Sequence, residues 1–361
     1  MKKSLSIIAL AALAFVGCSK VTADAPNTNE PDQPIKFQAA NYVSSTKAGS
    51  NIEFTEESFK VQAYYTGDKT WAASTLSDVV TYMNGVEVKR SNDVWAPSDK
   101  DYFWPKTGKL TFIGWAPATV SAAFDSNAGQ MSIEFGDGET DLLVTDIVAD
   151  KTYNEHQYNY DGVPMLFHHI LSKVNFKAKA KSGMDDDGIK YHIVITSLEL
   201  KSITTNGTYT LSLLASDPVK GSWGTSGGGN NKPVYSLSNY TTQNTGATFA
   251  NVTEEIKGTA SPLGSEFFAI PQTFSASAKV SIKYVIYYCN SAGKILDKHD
   301  KTAEAEEFIL NSFTNNSSQI TSWEQNKIYT YTIVIDPNSD RKITFDPVVE
   351  VWTAVEAEKK I

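Results

Sequence analysis

The sequence predicts an all-β protein built as two consecutive antiparallel β-sandwich domains, and three observations carry that expectation. From Pro34 onward, short apolar runs are punctuated by turn residues at about 8–12-residue intervals, the spacing of sandwiches and barrels. Nothing in the first half sustains helical periodicity beyond a turn or two. The chain has 361 residues, 41% hydrophobic and 20% charged, which suits two domains at roughly 100–200 residues each.

The N-terminus reads as a processing segment. Lys2 and Lys3 precede an apolar run from Leu5 to Val16 that is too short to span a bilayer. It ends in Phe15-Val16-Gly17-Cys18, which resembles the lipobox of bacterial lipoproteins, with Phe15 where Leu is usual. The alternative is an ordinary signal peptide with a chance cysteine. Residues 1–18 are therefore expected to be a lipoprotein signal peptide, with Cys18 the lipid-modified residue. Residues 19–34 carry Pro26, Pro31 and Pro34 without apolar periodicity and read as a flexible tether. With Cys18 taken by lipid, Cys289 has no disulfide partner and reads as a small buried apolar residue.

Taken in order, Ile35 to Val43 alternates apolar and polar residues as a first strand, followed by the break SSTKAGSN. FKVQAYYT, VTYMNGVEVKR, TGKLTFIGWAP, MSIEF and DLLVTDIV complete a first set, with Asn84-Gly85 as a hairpin signal. Asp161-Gly162 and Pro164 mark the expected boundary, giving domains at 35–163 and 164–342. The second set comprises MLFHHILSKVNFKAKA, IKYHIVITSLELKSI, a hairpin partner TYTLSLL after Asn206-Gly207, SEFFAIP, AKVSIKYVIYY and KIYTYTIVI. Ser216 to Gly246, rich in Gly, Ser and Asn, reads as a long surface loop or weakly ordered crossing.

Composition and motifs exclude several functions. The net charge of −9 disfavours nucleic acid as a partner, and only Arg90 and Arg341 are available for bidentate anion recognition. There is no G-x-S-x-G, H-E-x-x-H or C-x-x-C, so no catalytic, cofactor or metal residues are assigned. His168 and His169 are adjacent on a strand and point to opposite faces, which rules out joint chelation. Asp185 to Asp187 lack the ligand spacing of a calcium loop. Trp104, Trp115, Trp323 and Trp352 sit in or at the ends of strand-like runs, where packing is the default.

The C-terminal segment 343–361 is the most regular stretch. Ile343, Phe345, Val349, Val351 and Val355 fall on one face of a long strand, with mostly polar residues between them. Its opening ITF matches the IKF that opens the first strand at Ile35, and Phe37 and Ala39 continue that strand's inward side. Burying the five apolar residues contributes on the order of 10 kcal/mol. Ordering some fifteen residues costs about 1–2 kcal/mol each, so side-chain burial alone does not drive docking. Edge hydrogen bonds and a preformed groove must supply the rest.

The lipobox, the polar tether, IKFQAANYVSSTKAGSNIEF, YMNGVEV, DVWAPSDKDYFWPKTGKLTFIGWAP, DLLVTDIV, MLFHHILSKVNFKA, WEQNKIYTYTIVID and ITFDPVVEVW occur in that order. Together they resemble the fimbrillin family of Bacteroidales, subunits of type V pili, from Met1 to about Trp352. The resemblance implies two transthyretin-like, Greek-key-type sandwiches, export as an outer-membrane lipoprotein, and a non-enzymatic role in a fimbria supporting adhesion. It further implies that a surface protease removes the lipidated segment with the first strand, here Ile35, Phe37, Ala39 and Val43. A strand from another pilin subunit, in a homo- or hetero-polymer, then fills the groove. On this sequence Lys47-Ala48 is the candidate cleavage site, although the family's protease commonly prefers Arg. Cleavage at Lys47, cleavage by a protease of different preference, and a permanent lipid anchor all stay open. The competing expectation is a non-polymerising surface lipoprotein that binds host or glycan ligands or caps a pilus as tip or anchor.

Overall fold

The computed structural model describes residues 32–41, 52–136, 138–153, 162–181, 188–214, 221–225 and 229–352. The first half contributes β1 (Phe37–Asn41), β2 (Ile52–Glu53), β3 (Ser58–Gly67), β4 (Val80–Ser91), β5 (Val94–Pro97), β6 (Lys109–Ala116), β7 (Ala122–Asp125), β8 (Gln130–Phe135), β9 (Leu143–Thr145), β10 (Val148–Lys151) and β11 (Val163–His169). The main sheet runs β10-β6-β3-β4-β5-β1-β11-β9. Trp115 and Ala116 of β6 also pair with Val144 and Leu143 of β9, so the sheet closes on itself. Inside lie Phe37, Phe59, Val61, Phe112, Met165 and Phe167, every second residue of their strands, as period-two alternation requires.

The second half contributes β12 (Ser172–Ala180), β13 (Lys190–Ile203), β14 (Gly207–Ser212), β15 (Ser222–Thr225), β16 (Asn230–Ser236), β17 (Ser261–Pro262), β18 (Phe267–Ala269), β19 (Gln272–Thr273), β20 (Lys279–Cys289), β21 (Ile295–Asp300), β22 (Glu306–Ile309), β23 (Thr314–Asn315), β24 (Ser318–Gln319), β25 (Ser322–Trp323), β26 (Lys327–Ile335) and β27 (Ile343–Val351). Two sheets, β17-β12-β26-β27 and β16-β13-β20-β21, enclose a core that includes Val174, Phe176, Ile193, Ile195, Tyr331 and Ile333. All-β architecture therefore holds throughout the described residues. Its ladders are antiparallel except for two parallel pairs, β1 with β11 and β12 with β26.

Two connections cross the division expected between residues 163 and 164. Strand β11 starts at Val163 and lies between β1 and β9, so it belongs to the first sheet. Strands β14 and β15 return to the first half and extend β8 and β7 into the sheet β15-β14-β8-β7. A core of Ile113, Trp115, Met131, Ile133, Ile170, Leu171, Tyr209 and Leu211 joins this sheet to the main one. The Gly/Ser/Asn-rich stretch expected to be a loop thus contains β15 and β16, held by backbone pairing to β14 and β13.

Both expected hairpins also resolve differently. Strand β4 runs straight through Asn84-Gly85, where a register shift against β3 makes a bulge. Gly85 takes φ +58° there, and its N–H donates to Gln62 Oε1 at 3.0 Å. The tight turn is instead at Asn92-Asp93, both at positive φ, joining β4 to β5. After Asn206, the chain leaves β13 for a different sheet. Gly207 is needed for close approach, since a Cβ there would lie 2.6 Å from the Gly224 carbonyl oxygen.

Candidate strand-exchange site

Strand β1 is a stave in a closed sheet. Ile35 and Phe37 are buried, Ala39 is half-buried against the same core, and Asn41 is 3% exposed. The Phe37 ring meets Phe59 and Phe112 edge-on at 6.0 and 5.9 Å. Alternation puts these side chains inward and leaves Lys36 and Gln38 exposed.

The backbone of β1 is held on both sides. Toward β11, Phe37 to Asn41 run in register with Val163 to Phe167, and the Val163 N–H donates to Lys36 O at 2.8 Å. On the other side, Phe37 faces Trp95 of β5, and Ala40 and Asn41 face Glu53 and Ile52 of β2. The Ile35 N–H donates to Tyr102 O at 2.7 Å. Gly162, at φ +139°, lets the chain entering β11 pass this strand, because a Cβ would lie 2.6 Å from the Phe37 carbonyl carbon. Sequence reasoning read Gly162 as a boundary signal and missed that contact.

Strand β27 is the counterpart at a sheet edge. It pairs along its whole length with β26, from Lys327↔Val351 to Ile335↔Ile343, and no strand among the described residues pairs with its other side. The Asp336 N–H donates to Lys342 O and the Trp352 N–H to Asn326 O, both at 2.9 Å. By alternation the even-numbered residues of β27 bond to β26 and the odd-numbered ones face the open edge. Pro347 has an odd number, so its missing N–H costs no ladder bond, which is where an edge strand tolerates proline.

Inward packing follows the expected residues only in part. Ile343 is fully buried, Phe345 is half-buried and stacked on Phe313 at 4.2 Å, and Val349 packs half-buried on the core. Val351, expected inward with them, is 39% exposed because it pairs at the very end of β26, beyond the core. Trp352 takes over burial at 7% exposure. Its ring stacks on His169 and Phe268, and Lys173 Nζ lies 5.6 Å from its centroid.

His169 Nδ1 lies 2.7 Å from Asp141 Oδ2, and His168 Nε2 lies 3.0 Å from Asp146 Oδ1. The two imidazoles serve separate partners. Burial, and then Asp141, push the nearby Glu56 carboxyl above its ordinary range, with His169 opposing. No cluster of three His, Cys, Asp or Glu suited to a metal occurs among the described residues. Six of the seven tryptophans are buried, and the seventh, Trp223, is half-buried with its N–H on Ile170 O. Cys289 is buried, and burial raises its thiol pKa. Cys18, Val43, Lys47, Ala48 and Val355 lie outside the described residues.

A family model of fimbrillin-like proteins matches residues 46–352. Among solved structures, a fimbrial protein of Bacteroides vulgatus is similar, with 19% identity and a TM-score of 0.59, covering 89% of this chain and 99% of its own. A candidate cell adhesion protein of Bacteroides uniformis is similar at 13% identity and TM-score 0.49, over 89% of this chain and 99% of its own. Another from Bacteroides ovatus shows 12% identity and TM-score 0.49, over 91% of this chain and all of its own, 100%. No curated protein matches. The likeness to the Bacteroides vulgatus structure is one of fold.

Proposed function

This chain belongs to the fimbrillin-like family, and from that premise we infer that it is a structural subunit of a surface fimbria that polymerises by strand donation. The observation that carries the reading is the contrast between its two I-x-F strands. Strand β1 is inserted between β11 on one side and β5 and β2 on the other, so its removal leaves a slot that only another strand can refill. Strand β27 is paired on one side only, and its departure unpairs β26 alone.

In this reading the chain is exported with Cys18 lipidated to the outer membrane. A protease then cuts in the segment after β1, at Lys47-Ala48, and removes β1 with the tether. The emptied slot receives β27 of another subunit. An open slot exposes sheet edges and core, so β1 guards against aggregation until a donor arrives. The adhesive ligand, from host or glycan, is bound by the assembled fimbria.

A second reading, a tip or anchor subunit that keeps its lipid, draws support from Trp352. Its stack on His169 ties the end of β27 to the first half of its own molecule. The glycan-platform version has less support, since no tryptophan is exposed. The N-terminus of protein extracted from the cell surface tests the assignment. A start at Ala48, in material that runs as a multimer ladder, supports strand donation. A lipidated Cys18 on monomeric protein overturns it in favour of the anchor.

A further inference from the structure

Resting on the strand-donation reading, we propose that Pro347 and Val349 fix the register of the donated strand, with Ile343 taking the place of Ile35 and running parallel to β11. In this register Phe345 replaces Phe37, Pro347 replaces Ala39, Val348 replaces Ala40 and Val349 replaces Asn41.

Backbone alternation gives the first reason. Lys36 O accepts from Val163, so the even-numbered residues of β1 bond to β11 and the odd-numbered ones face β5 and β2. The same parity holds in β27, where the even-numbered residues bond and Pro347 faces away. In the slot, Pro347 lands at Ala39. That position is opposite no registered residue, because β5 pairing is confined to Phe37↔Trp95 and β2 pairing covers Ala40 and Asn41. The missing N–H therefore costs no ladder bond.

Neighbouring registers fail on named contacts. Moving the donor two residues one way puts Pro347 at Phe37, opposite Trp95, and leaves the pocket between Phe59 and Phe112 half empty. Moving it two residues the other way puts Pro347 opposite Ile52 and crowds Phe345 into the place of Ala39. A shift of one residue turns Thr344 and Asp346 into the core.

Position 41 gives the direction of exchange. Asn41 is 3% exposed, and its side-chain oxygen has no hydrogen-bond partner. A buried orphan carbonyl disfavours the resident strand. Val349 puts an apolar side chain in that place, and Phe345 moves from half-buried to a fully enclosed site. The resident strand is thus the weaker occupant of its own slot.

Disulfide trapping tests the register in full-length chains that undergo maturation. Ala40 and Leu166 are registered partners, so the proposal sets Val348 of one subunit beside Leu166 of the next. Chains carrying Val348→Cys are mixed with chains carrying Leu166→Cys, and in parallel with chains carrying Pro164→Cys. The registered pair falls within disulfide reach, whereas a two-residue offset opens the Cα separation to about 8 Å, outside it. The expected result is a covalent dimer from the first mixture at least tenfold more abundant than from the second. Pro347→Ala should then allow the offset pair to form, and Val349→Asn should lower polymer yield by roughly tenfold.

Polymer that cross-links through the offset pair, or through neither pair, overturns the register and leaves strand donation standing. If unsubstituted chains form no polymer after cleavage, strand donation itself falls and the register with it.

Discussion

Trp352 lies flat on His169, with ring centroids 3.8 Å apart and planes 8° from parallel. One residue follows the last of the described strands, and the other ends β11 of the first sheet. Asp141 holds the imidazole through its Nδ1, and Lys173 sits near the indole. The C-terminal strand is thereby fastened at the junction of the two halves.

Removing that fastener should be costly. Trp352→Ala is expected to destabilise the full chain by about 3 kcal/mol, the low end for losing a buried tryptophan. Urea unfolding followed by the remaining tryptophan fluorescence reads the shift. A change below 1 kcal/mol, well under that range, would show that the stack is incidental.

Phe37→Ala separates precursor from mature protein. In the precursor it removes a ring enclosed by Phe59 and Phe112, with an expected loss of about 3–5 kcal/mol. If β1 is discarded on maturation, the mature polymer should show no effect of the substitution. Thermal melts of both forms measure it, and equal losses would mean that β1 stays.

Acid should loosen one edge of the second half. Glu307 accepts from Lys201 Nζ and Lys279 Nζ, both at 2.7 Å, and these bonds hold its carboxyl down at about 2 from the ordinary 4.5. A depressed folded-state pKa contributes stability that is full above about 4.5 and is lost as pH falls toward about 2. The group is solvent-facing, so screening keeps the contribution small. Glu307→Gln should flatten the melting temperature across that window, and added salt should shrink the difference from the unsubstituted chain.

Gly207→Ala should strain the contact between β14 and β15, because its Cβ would meet the Gly224 carbonyl at 2.6 Å. A loss of about 1–3 kcal/mol is expected. Gly224→Ala is the control, since its nearest neighbour, the Thr208 carbonyl oxygen, is at 3.7 Å. Chemical denaturation of both variants checks the contrast.

The sequence shows strand identity far better than strand destination. Alternation at ITFDPVV and IKF is a local property, and the structure follows it from Ile343 to Val349 and at Ile35 and Phe37. Where a strand pairs is non-local. Asn84-Gly85 carries hairpin chemistry, yet β3 continues past it on one side and a bulge absorbs the extra residues. Val351 keeps its phase but outruns the core, and Trp352 finds a partner 183 positions earlier in His169, which no window along the chain could reveal. Gly162 and Gly207 are dictated by backbones that pass close by, so only three dimensions explain them.

The return of β14 and β15 to the first half bears on the order in which the chain folds during synthesis. Strands β7 and β8, which pair with each other, leave the ribosome long before β14 and β15 exist. Until residue 225 has emerged, the exposed faces of Met131, Ile133 and Phe135 lack Tyr209 and Leu211 to cover them. The first half therefore cannot settle as an independent unit until the early strands of the second half have been made.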